Sequence, residues 1–251
     1  MKTYLSLGAG VDTVAITLMD DIMEKVDFVI FADTGGENPE TYEYMEKYIK
    51  PRLKSLDIPL IIVRGEETID GITYNNMEEA YLAWHAIPSR MLRHCTDKWK
   101  IKPMNKYIQS HYPNEDLTII IGFAYDEMHR ANCSIYKNQQ AWYPLIEKKM
   151  TRADCIRFIM EQGYPVPPKS GCYFCPYQRL DAWKSLMSAH PDLIERAIRL
   201  EKNNSNYPVF TLSNFRKKGK PLTLEEVYRN MKTTLFDFDD VEEMCAGACM
   251  T

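Results

Sequence analysis

Apolar positions along the first half of the chain fall into short runs separated by stretches of helical period. Thr3 to Leu7 reads as a short buried strand, followed by a glycine-containing turn and an apolar-periodic helix from about Thr13 to Glu24. The pattern repeats. Phe28 to Phe31 predicts a second strand, Gly35-Gly36 a turn, and Pro39 the first turn of a helix running to about Leu56. Leu60 to Val63 predicts a third strand. Leu117 to Ile121 predicts a fourth, apolar enough for a parallel strand covered on both faces. Strands alternating with helices imply an α/β fold with a doubly wound, mostly parallel, Rossmann-like sheet. Ligands of such sheets bind at the carboxyl ends of the strands, which places Gly8–Thr13, Ala32–Glu37 and Gly122–Arg130 on one rim.

After Tyr143-Pro144-Leu145 the character changes. A helix is expected from Arg152 to Gln162, then a Pro-rich stretch from Pro165 to Pro168, a CxxC at Cys172 and Cys175, and further helical segments. The expected division is a nucleotide-binding α/β domain over 1–147 and a helical, cysteine-containing C-terminal subdomain over 148–251. The acidic stretch Asp237 to Glu243 leads to Cys245 and Cys249.

With 251 residues, 45% hydrophobic and 26% charged, the chain can bury a full core as one large domain or one domain with an appendage. A formal net charge of -4 argues against a uniformly basic nucleic-acid coat but permits a local basic groove. No apolar run approaches the roughly 18 residues that a membrane span needs, so no membrane partner and a cytoplasmic location are expected. Seven cysteines, an odd number, favour metal binding or thiol chemistry over a disulfide framework.

A loop that wraps phosphate brings backbone N–H groups close to the anion, which favours glycine and alanine. Gly8, Ala9 and Gly10 meet that need, although an ordinary tight strand-to-helix turn would look the same. Context separates the two readings. The stretch Ser6-Leu7-Gly8-Ala9-Gly10-Val11-Asp12-Thr13 resembles the SGGxDS loop of the PP-loop superfamily of adenine nucleotide hydrolases, keeping the second glycine as Gly10, the acid as Asp12 and a hydroxyl as Thr13. Gly8 and Ala9 replace the usual serine and first glycine. Phe31-Ala32-Asp33-Thr34-Gly35-Gly36-Glu37 is similar to the second-strand motif of its phosphoadenylyl-sulfate reductase-like branch. Gly122, followed by Asp126, Glu127 and Arg130, is similar to its later glycine-and-acid motif. The resemblance spans roughly Met1 to Gln178. It implies a site for ATP or adenylylated sulfate, in which Asp12 and Thr13 orient phosphate or bound magnesium and Arg130 faces phosphate or sulfate. Asp126 and Glu127 also suit the plainer role of helix caps.

Cys172-Tyr173-Phe174-Cys175-Pro176 sits in a loop stiffened by Pro167, Pro168 and Gly171, and two thiolates at that spacing can chelate one metal or cluster. Upstream, His94-Cys95 stands where adenylyl-sulfate reductases carry a Cys-Cys pair that joins a later CxxC around a four-iron four-sulfur cluster. The resemblance therefore implies a cluster on Cys95, Cys172 and Cys175. Zinc is the alternative, with Cys245 and Cys249 closing a tetrahedral site alongside Cys172 and Cys175. A tail cysteine acting as nucleophile is a further alternative, disfavoured by the acidic run before it. Cys155 reads as a small core residue of a helix.

Arg90, Arg93, Lys98, Lys100 and Lys102 lie near Cys95 with Trp84 and Trp99, a combination that would suit a phosphate-bearing substrate such as tRNA or DNA, or simply a solvated face. Arg216, Lys217, Lys218 and Lys220 form a second basic cluster. The leading expectation is an ATP- or adenylyl-sulfate-using sulfurtransferase. A thiol-dependent reductase of adenylylated sulfate and a zinc-stabilised nucleotide-binding module are the alternatives, and the assembly expected is a homodimer or a subunit of a complex.

Overall fold

In the computed structural model, residues 1–91, 94–131, 136, 138–213, 215–232 and 241–243 are described. The main sheet has five strands, β1 (Lys2–Leu7), β2 (Phe28–Asp33), β3 (Leu60–Arg64), β6 (Leu117–Ile121) and β7 (Gln139–Trp142), in the spatial order β3-β2-β1-β6-β7. Every pairing is parallel. A small antiparallel hairpin of β4 (Glu67–Ile69) and β5 (Ile72–Tyr74) stands apart from it. The order reverses between β1 and β6, and that switch point opens a crevice beyond their carboxyl ends.

The expected strands all form on apolar runs; β2, inside the sheet, is buried at every position, while β3, at its edge, leaves Ile62 half exposed. β7 was not legible: Gln139-Gln140-Ala141-Trp142 has neither alternation nor a β-branched run, and it is a strand because β6 offers an edge. The expected helix from Thr13 to Glu24 is broken. α1 (Val11–Thr17) ends where the Thr17 hydroxyl donates back to the Val14 carbonyl at 2.7 Å, Met19 is extended, and α2 (Asp20–Met23) restarts. The expected helix from Pro39 to Leu56 is continuous but contains a π-helical turn, Met45–Ile49, between α3 (Pro39–Tyr44) and α4 (Lys50–Ser55). Pro51 lies just after that turn, and its missing N–H and its ring account for the wider winding.

Helices pack on both faces. α1, α2, the 39–55 helix and α9 (Arg152–Glu161) bury one side of the sheet, with Leu5, Val29 and Ile120 beneath them. On the other side Tyr4, Phe28, Ile30 and Ile119 pack with Ile108 of α7 (Lys102–His111). A third apolar cluster joins α5 (Met77–Ala83) and Trp99 to Tyr173, Phe174, α10 (Leu180–Ala189), α11 (Pro191–Lys202) and α12 (Leu224–Lys232). Apolar packing thus crosses the division expected at residue 147. α9 lies on the main sheet, where its capping box of Thr151 and Asp154 starts it, and the 77–99 segment belongs with the C-terminal helices. Two short helices, α6 (His94–Thr96) and α8 (Pro144–Glu147), complete the described helical set.

Candidate functional site

The loop leaving β1 turns sharply. Ala9 adopts the left-handed conformation at φ 53°, which costs a residue with a Cβ, and Gly10 is the extended residue that opens α1 without a side-chain cap. Two glycines bring separate segments against this loop. A Cβ on Gly10 would lie 2.9 Å from Ser170 Oγ, and one on Gly122 would lie 2.7 Å from Thr13 Cγ2 and 3.2 Å from the Thr13 nitrogen. Only bare backbone lets the end of β6 touch the start of α1.

The result is a cleft of about 370 Å³ at the β1/β6 switch point, within the range of a small-molecule site. Of the residues anticipated for nucleotide binding, Ser6, Leu7, Gly8, Gly10, Asp12, Thr13, Ala32, Gly122, Glu127 and Arg130 line it. Ala9, Asp33, Thr34, Gly35 and Asp126 do not. Asp33 is occupied in holding the β2 loop: it accepts from Tyr42 at 2.6 Å, from the Gly35 nitrogen at 2.9 Å and from Arg64 at 2.8 Å. Burial would raise its carboxyl, but these donors win and hold it low. Gly35, at φ 71°, turns the same loop, and Thr34 faces Cys172 instead. Asp126 accepts from the Arg152 nitrogen at 3.1 Å, tying the segment after β6 to the start of α9 rather than capping a helix of its own.

Sequence reasoning missed Phe31, Met104, Phe123, Arg152, Lys169 and Ser170, which also line the cleft together with Lys100. No motif flags Arg152 or Lys169, since they arrive from the α9 and CxxC segments only when the chain folds. Lys100, Arg130, Arg152 and Lys169 thus face a cleft whose lining acids are Asp12 and Glu127, a local cationic balance on an acidic protein that suits an anion. Arg152 pairs with Asp12 Oδ2 at 3.2 Å, and Arg130 with Glu127 at 2.9 Å while stacking over Phe123. Asp12 Oδ1 is buried with no hydrogen-bond partner. Burial pushes the Asp12 carboxyl up, Arg152 pulls it back, and Glu127 and Asp126 add to the rise. A buried carboxylate oxygen beside a phosphate-sized space is a fitting ligand for magnesium.

The three predicted metal-site cysteines gather a short distance away. The segment after β2 is tied to the CxxC by backbone bonds: the Asn38 nitrogen donates to the Gly171 carbonyl at 3.0 Å and the Tyr173 nitrogen to that of Gly36 at 2.9 Å. Thr34 Oγ1 lies 3.1 Å from Cys172 Sγ. Gln178 Nε2 donates to the carbonyls of Cys172 and Tyr173, fixing the turn. Cys95 enters just before a π-helical turn, Asp97–Ile101, that also carries Lys100. Lys100 Nζ sits 3.1 Å from Glu37 Oε1, and Glu37 is buried with its Oε2 unpartnered. Burial lowers the Lys100 ammonium, but Glu37, Cys172 and Cys175 more than reverse that and raise it. Burial pushes the Cys172 thiol well up, helped by Glu37 and opposed by Lys100, and raises Cys95. Cys175 is pushed up to about 11 by burial, and it feels the charge of Cys95. The three thiols therefore share one electrostatic environment centred on Lys100.

Among the described residues no three His, Cys, Asp or Glu side chains are placed to hold a single metal ion. A four-iron cluster makes a different demand, because each thiolate binds its own iron and the sulfurs stand further apart than around one ion. Cys245, Cys249, Cys133 and Arg93 lie outside the described residues. Cys155 is fully buried against α1, as a core residue would be. The basic stretch near Cys95 is largely neutralised: Lys98 pairs with Glu67, Lys100 with Glu37 and Lys102 with Asp97, and Trp99 is a core side chain.

A phosphoadenosine phosphosulfate reductase domain matches residues 3–176, from β1 through the CxxC. The chain belongs to that family. It is a branch of PP-loop enzymes of sulfur transfer and adenylation. Two uncharacterised proteins of Methanocaldococcus jannaschii are related. One is 22% identical over 210 residues, covering 78% of this chain and 47% of the relative. The other is 24% identical over 186 residues, covering 67% and 34%. The chain spans about half or less of these relatives. Among solved structures, the U34-tRNA thiolase NcsA from Methanococcus maripaludis with its four-iron four-sulfur cluster shares 15% identity, over 80% of this chain and 71% of that one, with a TM-score of 0.42. A likeness at that score carries no weight for activity. No helix among the described residues is long and apolar enough to cross a membrane.

Proposed function

We propose that this chain is a nucleotide-activated sulfurtransferase in which ATP occupies the β1/β6 cleft and sulfur is handled at Cys95, Cys172 and Cys175. The observation that carries the reading is adjacency: the β1/β6 cleft and the cavity lined by Cys172 and Cys175 share Lys169 and Ser170. The loop amides of Gly8 to Thr13 hold phosphate, with magnesium on Asp12 Oδ1. Arg130 and Arg152 face the phosphates and offset charge that grows as the α-phosphate is attacked. An acceptor oxygen attacks the α-phosphorus, the bond to the bridging oxygen breaks, and pyrophosphate leaves. A sulfur nucleophile then displaces AMP from the activated acceptor.

The thiol set fits a four-iron four-sulfur cluster on donor chemistry: one buried and two half-buried cysteines beside the Lys100 ammonium, whose charge offsets theirs. When bound, such a cluster supplies a site for a transferable sulfur. The Lys100–Glu37 pair ties the π-helical turn beside Cys95 to the loop after β2. The acceptor class favoured by the resemblance is a nucleic acid, tRNA or DNA.

The test is direct. Protein purified without oxygen is assayed for iron and for pyrophosphate release from ATP and magnesium with tRNA or DNA present. Iron bound by the wild type and lost in Cys175→Ser, together with acceptor-dependent pyrophosphate, is the expected result. Iron-free protein that releases no pyrophosphate with either acceptor removes the proposal.

A further inference from the structure

Cys172 and Cys175 do not line the nucleotide cleft. They line a second cavity of about 400 Å³ that shares only Lys169 and Ser170 with it. The space exists because α10 presents Ala182, Ser185 and Ala189 there, with Leu186 and Pro168 as apolar walls. At its edge the chain entering α3 contributes Asn38 and Glu40. Asn38 Oδ1 is buried with no hydrogen-bond partner, and His190 takes Glu40 Oε1 at 2.6 Å and leaves Oε2. Both groups are acceptors and suit a ligand ammonium. Lys169 donates to the Tyr177 carbonyl at 3.4 Å, and an ammonium has three protons to give, so it can also meet a carboxylate. The one ring of the lining, Tyr177, already carries the Arg90 guanidinium at 4.9 Å, which leaves a planar base without a stacking wall.

We infer that this cavity is a binding site for a small α-amino-acid thiol of the cysteine class, its ammonium on Asn38 and Glu40, its carboxylate on Lys169 and its sulfur toward Cys175. The inference rests on the sulfur-transfer reading and adds to it: the sulfur-bearing co-substrate and the nucleotide enter separate compartments that meet at Lys169 and Ser170. The short side chain fits between Leu186 and Pro168, and the opposite charges of Glu40 and Lys169 in one lining select a zwitterion over a simple thiol.

The test uses calorimetry on the 251-residue chain in oxygen-free buffer, with L-cysteine, cysteamine and 3-mercaptopropionate as probes and ATP as a separate titrant. L-cysteine is expected to bind. Cysteamine, which lacks the carboxylate, and 3-mercaptopropionate, which lacks the ammonium, are each expected to bind about tenfold or more weakly, the loss of one charge-assisted hydrogen bond. Ala182→Trp and, independently, Ser185→Phe fill the cavity and should abolish L-cysteine binding while ATP affinity stays as in wild type, which also certifies that the variants fold. Protein that binds ATP but not L-cysteine overturns the inference and leaves the nucleotide reading standing. Equal affinity for all three thiols, or L-cysteine binding that survives both filled-cavity variants, overturns it as well. Loss of ATP binding in wild type would instead strike the proposed function.

Discussion

The nucleotide cleft and the thiol cavity meet along two residues, Lys169 and Ser170, yet they are held by different forces. The cleft is made by backbone. Gly122 lets the end of β6 touch the start of α1, Gly10 lets Ser170 approach the loop, and the parallel sheet fixes the spacing of β1 and β6. The thiol cavity is made by side chains and long-range ties. Asn38 and Glu40, Cys172 and Cys175, and the small face of α10 come from three segments of the chain, joined by bonds between the β2 loop and the CxxC, with the Glu37–Lys100 ion pair just behind them. A backbone site tolerates changes of nearby side chains and fails when a Cβ intrudes. A side-chain site does the opposite, because removing one charge leaves its partner buried alone.

The sharpest break of that contrast is Lys100→Met. It leaves Glu37 charged and almost wholly buried, and should cost about 3–5 kcal/mol in urea unfolding. The double variant Glu37→Gln with Lys100→Met should recover most of that loss, and an unchanged single variant would mean the pair does not tie the β2 loop to the π-helical turn. Gly122→Val works on the other compartment. Its Cβ must displace Thr13, so a loss of about 3 kcal/mol and much weaker ATP binding are expected, with alkylation of Cys175 by iodoacetamide unaltered.

Glu201 serves as a reference belonging to neither compartment. It accepts from the nitrogens of Leu212 and Leu224, both at 2.6 Å, and burial pushes its carboxyl up to about 6 from the model-peptide value of 4.5. The folded state favours the protonated acid, so this contribution is fully present below pH 4.5 and is lost as pH rises through 6. Thermal stability should therefore fall by about 2 kcal/mol across that window, and Glu201→Gln should flatten the slope. The smallest effect is expected from Asp12→Asn. With magnesium present, ATP affinity should drop about tenfold, or about 1.4 kcal/mol, while the affinity measured in EDTA stays near wild type. Equal losses in both conditions would mean that Oδ1 holds no cation.

Much of the scaffold could be read from patterning. β1, β2, β3 and β6 appear within two residues of the apolar runs that announced them; for β2 the reason is coverage on both faces, while β3 keeps its apolar run at a partly exposed edge. The cleft was legible for the same reason, since its glycines lie at the ends of those strands. β7 was not, because an edge strand on an existing sheet requires little of its own sequence. Nor was the role of Asp33, which the motif assigns to the ligand and the fold spends on Tyr42 and Arg64. The basic run from Lys98 to Lys102 was misleading in isolation: its partners Glu67 and Glu37 come from distant segments.

By itself the sequence determined the parallel sheet, its glycine-bearing rim and the family, because these depend on local periodicity and on residues adjacent in the chain. Only the tertiary structure decided that Lys100 faces the β1/β6 cleft while paired with Glu37, that Arg152 and Lys169 join that cleft, and that the CxxC opens into a cavity of its own. Those features are made by packing between segments as far apart as residues 37, 100 and 172, and no local pattern records which distant charges and cavities will meet.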